Sequence, residues 1–477
     1  MEIYVIMKKK RKRGFIMKEE TEAGILTDSM ETPSRRAMWG ELFKLSWPCA
    51  VELFLSSLIG VITVALVASI GKEATNAVSI TNQPIMIPNV ILQAFCVGGT
   101  AVVARSLGQR DERAARTACE QTLLMSIVFS VAASVIMYVF GGTFIRWMGA
   151  TDDYFSMAVY YMKYCAIGVF FQSISTAAAA LLRGAGKTRL SMYFNIAANI
   201  TNVALGSVLI HGFGPIPALG IRGAAIAQLA AKIVGCVLAV VILLRSRDFP
   251  IRPTVRGMCR PKPDVMQRIC RVGTSSALEQ LALRVGLMMF TVYIVHLGTA
   301  EYAAHNIASS IHSYVVNFGT AISVALVSLV GQNLGAGRPD IAEKYFSEAL
   351  KQCWLISVIL AIPLLAIPQY IAMIFTREAD VIADIVVALR ILAFFVAPQI
   401  IQIAVCGGLR GGGDTKWPLI STMIGVLGMR MILGYFFIVQ FHWGLAGAWF
   451  CWLLDQSVRA IIIYFRFRSG KWKTVRV

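Results

Sequence analysis

The sequence predicts an all-α fold, a polytopic membrane bundle of about twelve transmembrane helices in two pseudo-symmetric six-helix lobes. Three observations carry that prediction. Of 477 residues, 57% are hydrophobic and only 15% charged, more apolar than an ordinary soluble domain. Nearly uncharged stretches of about twenty residues, the length that crosses a bilayer as a helix, recur along the chain. The second half also repeats the first at a fixed offset, so the bundle is built twice.

Windows of about 19 residues place the spans near 47–70, 84–105, 119–141, 158–182, 189–211, 222–245, 274–297, 306–334, 350–375, 385–409, 417–440 and 444–466. Hydrocarbon offers no partner to an open backbone amide, so each span is a helix or part of a closed barrel. Uninterrupted apolar runs exclude the alternation of a barrel strand. The flanks agree. A basic cluster, Lys8 to Arg13, precedes the first span, which opens at Pro48. Arg105, Arg110, Arg113 and Arg116 follow the second; Arg183, Lys187 and Arg189 the fourth; a series from Arg245 to Arg271 the sixth. Arg338 and Lys344, Arg410 and Lys416, and Arg466 to Arg476 follow the eighth, tenth and twelfth. The odd connections carry Lys72, Arg146 and Arg377, beside acids such as Glu73, Asp152, Asp153, Glu378 and Asp380. This asymmetry predicts a multi-pass plasma-membrane protein with both termini in the cytoplasm.

The expected organisation is a disordered cytoplasmic tail over 1–38, a six-helix lobe over 39–245, a cytoplasmic linker over 246–271, a second lobe over 272–468 and a short tail over 469–477. The first thirty residues lack the apolar core and cleavage site of a signal peptide. The net charge of +19 lies in loops rather than on one binding face, which argues against a nucleic-acid partner. Ten scattered cysteines without a CxxC pair, and five histidines without ligand spacing, predict neither a metal nor a disulfide role.

One motif invites a different reading. "LLRGAGKTR" at 181–189 ends like a phosphate-binding loop, but Leu181 stands where that loop needs its first glycine. Its partner, "GLRGGGDTK" at Gly408 to Lys416, lies 227 residues on and carries Asp414 in place of Lys187. A site that balances phosphate charge would not exchange lysine for aspartate. The same offset relates Glu52 to Glu279, Gly71 to Gly298, Leu107-Gly108 to Leu334-Gly335, and Gln172 to Gln399, slipping to 224 only near the end, at Gly220 and Gly444. The motif residues Arg183, Gly184, Gly186, Arg410, Gly411, Gly413 and Asp414 are therefore expected to form tight turns, with the arginines anchored at lipid headgroups. Six spans per repeat give both halves one orientation, related by an axis along the membrane normal.

The paired LRGxGxT[KR] elements, "VARSLGQ" and "LVGQNLGAG", "GIRGAAIAQ" and "EYAAHNIA" resemble the multidrug and toxic compound extrusion (MATE) family over about residues 40 to 466. The resemblance implies a secondary antiporter with two lobes around a central cavity. It would export organic cations or amphipathic drugs in exchange for H⁺ or Na⁺ by alternating access, without an organic cofactor. The expected partners are a small-molecule substrate and the lipid bilayer, with a monomeric chain. Acids on which family members rely fall here on Thr63, Gly206 and Leu283, while Glu52 and Glu279 carry over. A flippase for a lipid-linked saccharide is the alternative, expected to have a strongly cationic cavity. An embedded enzyme would need a convergent acid, histidine or metal cluster, and none is apparent.

Ionisable groups inside a membrane are functional candidates by default, which makes Glu52 and Glu279 the coupling candidates. Asn195, Asn199 and Asn202 share one face of the fifth span, and with Gln172, Gln399, Phe171 and Phe394 form the candidate cavity set. Asp455 and Arg459, four residues apart, are expected to neutralise each other, and Arg284 to lie within reach of Glu279. His305 reads chiefly as interfacial.

Overall fold

The computed structural model describes residues 33–212, 217–246, 249 and 251–475. Two compact units divide the chain at Glu41. The described part of the first is the opening of helix α1, Arg35–Ala68; the expected tail over 1–38 otherwise lies outside the described residues. The second unit holds everything that follows.

Among the described residues, twelve helices are long and apolar enough to cross a membrane. After α1 come α2 (Lys72–Gly108), α3 (Glu112–Trp147), α4 (Asp152–Gly184), α5 (Thr188–His211) and α6 (Ile221–Arg245). The second half supplies α7 (Pro263–Val295), α8 (Thr299–Gly335), α9 (Pro339–Ala366), α10 (Ala379–Gly411), α11 (Lys416–Gln440) and α12 (Gly444–Arg468). Several helices outrun the apolar windows because hydropathy marks the lipid-deep part, whereas backbone hydrogen bonding continues into the polar flanks. Asp111, for example, caps α3 by accepting from the Ala114 amide at 2.9 Å.

The duplication shows in the packing. In the first half α4 packs on α2, α3 and α6; in the second, α10 packs on α8, α9 and α12. The outermost members differ. Only 11% of the apolar stretch of α1 is buried, against 67% for α4. Polar side chains hold α1: Ser56 accepts from Asn199 and Ser57 from Asn317, each at 3.0 Å. Pro48 inside it also removes a backbone donor. Its counterpart α7 packs on α2 of the other lobe. Within α11 the backbone widens to π-helix over Met423–Arg430 and Tyr435–Gln440, a deviation that re-aims side chains and is common at functional sites.

Two connections are firmer than the sequence suggests. The segment between lobes buries Phe249 and Ile251, forms a helical turn at Val255–Met258, and joins α7 at Pro263, inside the expected linker. The Thr254 amide and hydroxyl both donate to Glu120 on α3, at 2.8 and 2.7 Å. At the C-terminal end a 3-10 turn, Lys471–Thr474, buries Trp472 against Phe346 and Phe467.

Candidate functional site

Glu52 and Glu279 are both buried, and each meets an arginine from the glycine motif of its own lobe. Arg183, the penultimate residue of α4, donates to Glu52 at 2.5 Å; Arg410, placed likewise on α10, donates to both oxygens of Glu279 at 2.7 and 2.8 Å. In both pairs the partners are 131 residues apart, so one ion pair is built twice. The first is better furnished. Glu52 also accepts from Asn195 at 2.9 Å and Ser191 at 3.3 Å, both on α5.

These geometries correct the expected role of the motif. Arg183 and Arg410 point inward to carboxylates rather than outward to headgroups, because a buried acid without a counter-charge would cost more than bending a long side chain back. The motif glycines divide into two kinds. A Cβ on Gly184 would meet the backbone of Thr100, and one on Gly411 the backbone of Val327, so these two let helices touch. Gly186 and Gly413 take φ +74° and +85°, the left-handed conformation that closes the turn. Asp414 accepts from Arg466 at 2.7 Å, while Lys187 is exposed.

Two cavities lie near these pairs: Asn195, the Glu52 donor, lines the smaller, and Arg183, Glu279 and Arg410 line the larger. The first-half cavity, about 440 Å³, is walled by α2, α4, α5 and α6 and carries Asn82, Gln172, Asn195, Asn199, Asn202, Gln228 and Lys232. The second, about 770 Å³, lies among α7, α8, α10, α11 and α12, with α2 and the end of α4 closing the side toward the first lobe. Its polar lining includes Arg183, Glu279, Arg284, His305, His312, Gln399, Arg410, Arg430, Gln456 and Arg459. The three asparagines and Gln172 line the smaller cavity and Gln399 the larger. Phe394 and Phe171 line neither. Phe394 is 68% exposed, pointing away from the lobe interior, and Phe171 packs edge-on against Phe170.

Three further expectations change. Asp455 pairs with Arg430, not Arg459, whose guanidinium donates to Thr422 at 2.8 Å. The π-helical widening of α11 brings Arg430 to the carboxylate ahead of the helical neighbour. Arg284 does not reach Glu279, which Arg410 occupies. His305 is buried against Phe290, Trp449 and Trp452 rather than interfacial. Sequence reasoning passed over Lys232, His312, Arg430 and Trp452. Lys232 and Arg430 carried a usable signal, since each is a charge inside an apolar span.

At the end bearing the basic loops, the lobes close on each other through repeat-related residues of α2 and α8. A Cβ on Gly108 would strike the Gln332 carbonyl, and one on Gly335 the Arg105 carbonyl; Gly331 abuts Ala104. Each contact is the other's image under the 227-residue offset, as an isologous two-fold seam requires. The Gly184 carbonyl, next to Arg183, accepts from Ser328 at 3.2 Å and Gln332 at 3.1 Å on α8. Arg105 also donates to the Val475 carbonyl at 2.8 Å. The seam therefore shuts the basic-loop end.

A family model described as MatE matches residues 48–208 and 275–436, once in each lobe. A protein named as a probable multidrug resistance protein NorM, from Thermotoga maritima, is 28% identical over 437 residues, covering 91% of this chain and 93% of that one. The uncharacterized transporter YisQ of Bacillus subtilis is 24% identical, covering 90% and 94%. A solved structure described as the outward-facing conformation of a multidrug resistance MATE family transporter superposes with a TM-score of 0.85 at 22% identity, over 92% of this chain and 97% of that one. Duplicated six-helix lobes, a two-fold seam and a model matching both halves lead to one assignment: the chain belongs to the MatE family of integral membrane transporters and is not an enzyme.

Proposed function

We propose that this chain is a secondary active exporter of amphipathic organic compounds, moved by alternating access of two lobes in exchange for H⁺ or Na⁺. The observation that carries the proposal is the twin Glu–Arg pair beside the seam. A proton or cation arriving at Glu52 competes with Arg183 for the carboxylate. Releasing Arg183 disturbs the adjoining Gly184 carbonyl, which α8 holds across the lobes. Charge binding is thereby converted into a weaker seal at the basic-loop end, which the loop charges put in the cytoplasm. Glu279 and Arg410 form the matching pair within the second lobe. Gln172, Gln399 and the α5 asparagines give the cargo polar contacts in the two cavities.

The names of curated relatives, probable multidrug resistance proteins, agree with this reading. Its test is movement of two fluorescent amphipaths, rhodamine 6G and carboxyfluorescein, in everted vesicles under separately imposed pH and Na⁺ gradients. Native protein should move at least one dye under one gradient without ATP, and Glu52→Gln should slow it at least tenfold. Movement that ignores both gradients, or persists in full without the carboxylate, sinks the proposal.

A further inference from the structure

Both cavities are short of negative charge. Among the described residues, five arginines line the larger one, against a single carboxylate, Glu279. Three of those arginines are compensated, Arg183 by Glu52, Arg410 by Glu279 and Arg430 by Asp455. Arg459 bonds only the neutral Thr422, and Arg284 makes no hydrogen bond or ion pair among the described residues. An uncompensated guanidinium inside a membrane-spanning helix is costly unless a ligand or water meets it. Among the described residues the smaller cavity adds Lys232 and no acid, and Lys232 likewise makes no hydrogen bond or ion pair.

The unused donors point the same way. Among the described residues, the Arg459 Nε, Arg430 Nε and Trp452 Nε1 atoms of the larger cavity's lining residues are buried without an acceptor, against one unused amide acceptor there, Gln456 Oε1. Beside them stands an aromatic face. The His312 and Trp452 rings lie 4.6 Å apart, and the Arg430 guanidinium sits 4.6 Å from the Trp452 ring centroid. An organic cation entering here would find its one carboxylate already held in two hydrogen bonds by Arg410, and two free positive charges repelling it. An anion gains charge-assisted bonds from guanidinium groups that no carboxylate satisfies.

We infer that the larger cavity binds a planar aromatic compound bearing a carboxylate or phosphate, its ring against Trp452 and His312 and its anionic group between Arg284 and Arg459. A volume of about 770 Å³ suits a drug-sized ligand. The inference rests on the export reading only for its direction of transport; the site's charge preference stands without it.

The test is equilibrium binding, with no gradient, to full-length protein in phosphatidylcholine nanodiscs, read by fluorescence polarisation. Two xanthene dyes of opposite charge, carboxyfluorescein and rhodamine 6G, share a planar core. Native protein should bind carboxyfluorescein at least tenfold more tightly. Arg284→Gln should erase that preference, Arg284→Lys should keep most of it, and Arg284→Glu should reverse it. Arg284 has no bonding partner among the described residues to lose, so these variants should fold, which their unfolding temperatures check. Equal binding, a preference for rhodamine 6G, or no binding of carboxyfluorescein overturns the inference. Displacement of the dye by added phosphatidylglycerol would also overturn it, since the anion would then be a lipid headgroup. Anion binding without gradient-driven movement would defeat the export reading and leave this one standing.

Discussion

The two lobes share a frame and differ in what the frame encloses. Each pairs a buried glutamate with an arginine at the end of its fourth helix, packs that helix through a glycine, and offers a glycine to the seam. The cavity positions diverge. Ile85 is replaced by His312 at the 227-residue offset and, at the shorter offset of the last helix, Gln228 by Trp452 and Gly235 by Arg459, while Gln172 and Gln399 are alike. A rocking mechanism needs matched hinges and a matched seal, whereas a binding pocket gains from unlike walls. The ion pair and the seam are thus the shared frame, and the diverged wall positions set the two cavities apart.

The largest effect should come from unpairing a glutamate. Removing one member of a buried ion pair strands the other, at a cost of about 3–5 kcal/mol. Arg410→Ala should lower the unfolding temperature more than Arg183→Ala. Glu52 keeps Asn195 and Ser191 as donors, while Glu279 has only Arg410 among the described residues. Thermal unfolding in detergent decides this, and an equal or larger drop for Arg183→Ala would erase the asymmetry. Adding Glu279→Gln to Arg410→Gln should recover part of the loss.

The seam should behave symmetrically instead. Gly108→Leu and Gly335→Leu each push a side chain into the backbone of the opposite lobe, an overpacking worth about 1–3 kcal/mol against the closed state. Both should speed the reaction of Cys406, in the cavity wall, with an impermeant thiol reagent supplied at the basic-loop end. The background should carry Cys259→Ser, Cys270→Ser and Cys96→Ser, since Cys259 is exposed, Cys270 is half-buried and Cys96 lines the same cavity. Unequal acceleration would show that the seam is not two-fold in effect. The smallest change belongs to the C-terminal turn. Lys473 meets Glu343 at 2.5 Å, but both are partly exposed, so Lys473→Ala should cost below about 1 kcal/mol in a thermal melt.

Much of this frame was legible in the sequence, because apolar length and loop charge report directly on helices in a bilayer. The repeat was legible too, and it located Glu52, Glu279, Arg183 and Arg410 as recurring residues. What it concealed was that they meet. Contacts 131 residues apart leave no periodic trace, and the arginines, lying beside basic loops, read as headgroup anchors. One signal was available: two acids and two arginines recurring at a single offset. The exchange of Asp455 from Arg459 to Arg430 was hidden for another reason. It depends on π-helical turns in α11, which an ideal helical spacing does not anticipate. Phe394 failed as a cavity residue because lipid-facing and cavity-facing aromatics look alike in an apolar span.

The central claim is that the Glu52–Arg183 pair governs the seal between lobes. Spin labels on Arg113→Cys and Asp340→Cys, repeat-related exposed sites at the starts of α3 and α9, measure opening at the basic-loop end when Cys259 is replaced by serine. In the otherwise native protein the interlabel distance should lengthen on adding acid or Na⁺. With Glu52→Gln the long distance should prevail under every condition. A Glu52→Gln protein that keeps the native distance and the native response would contradict the account.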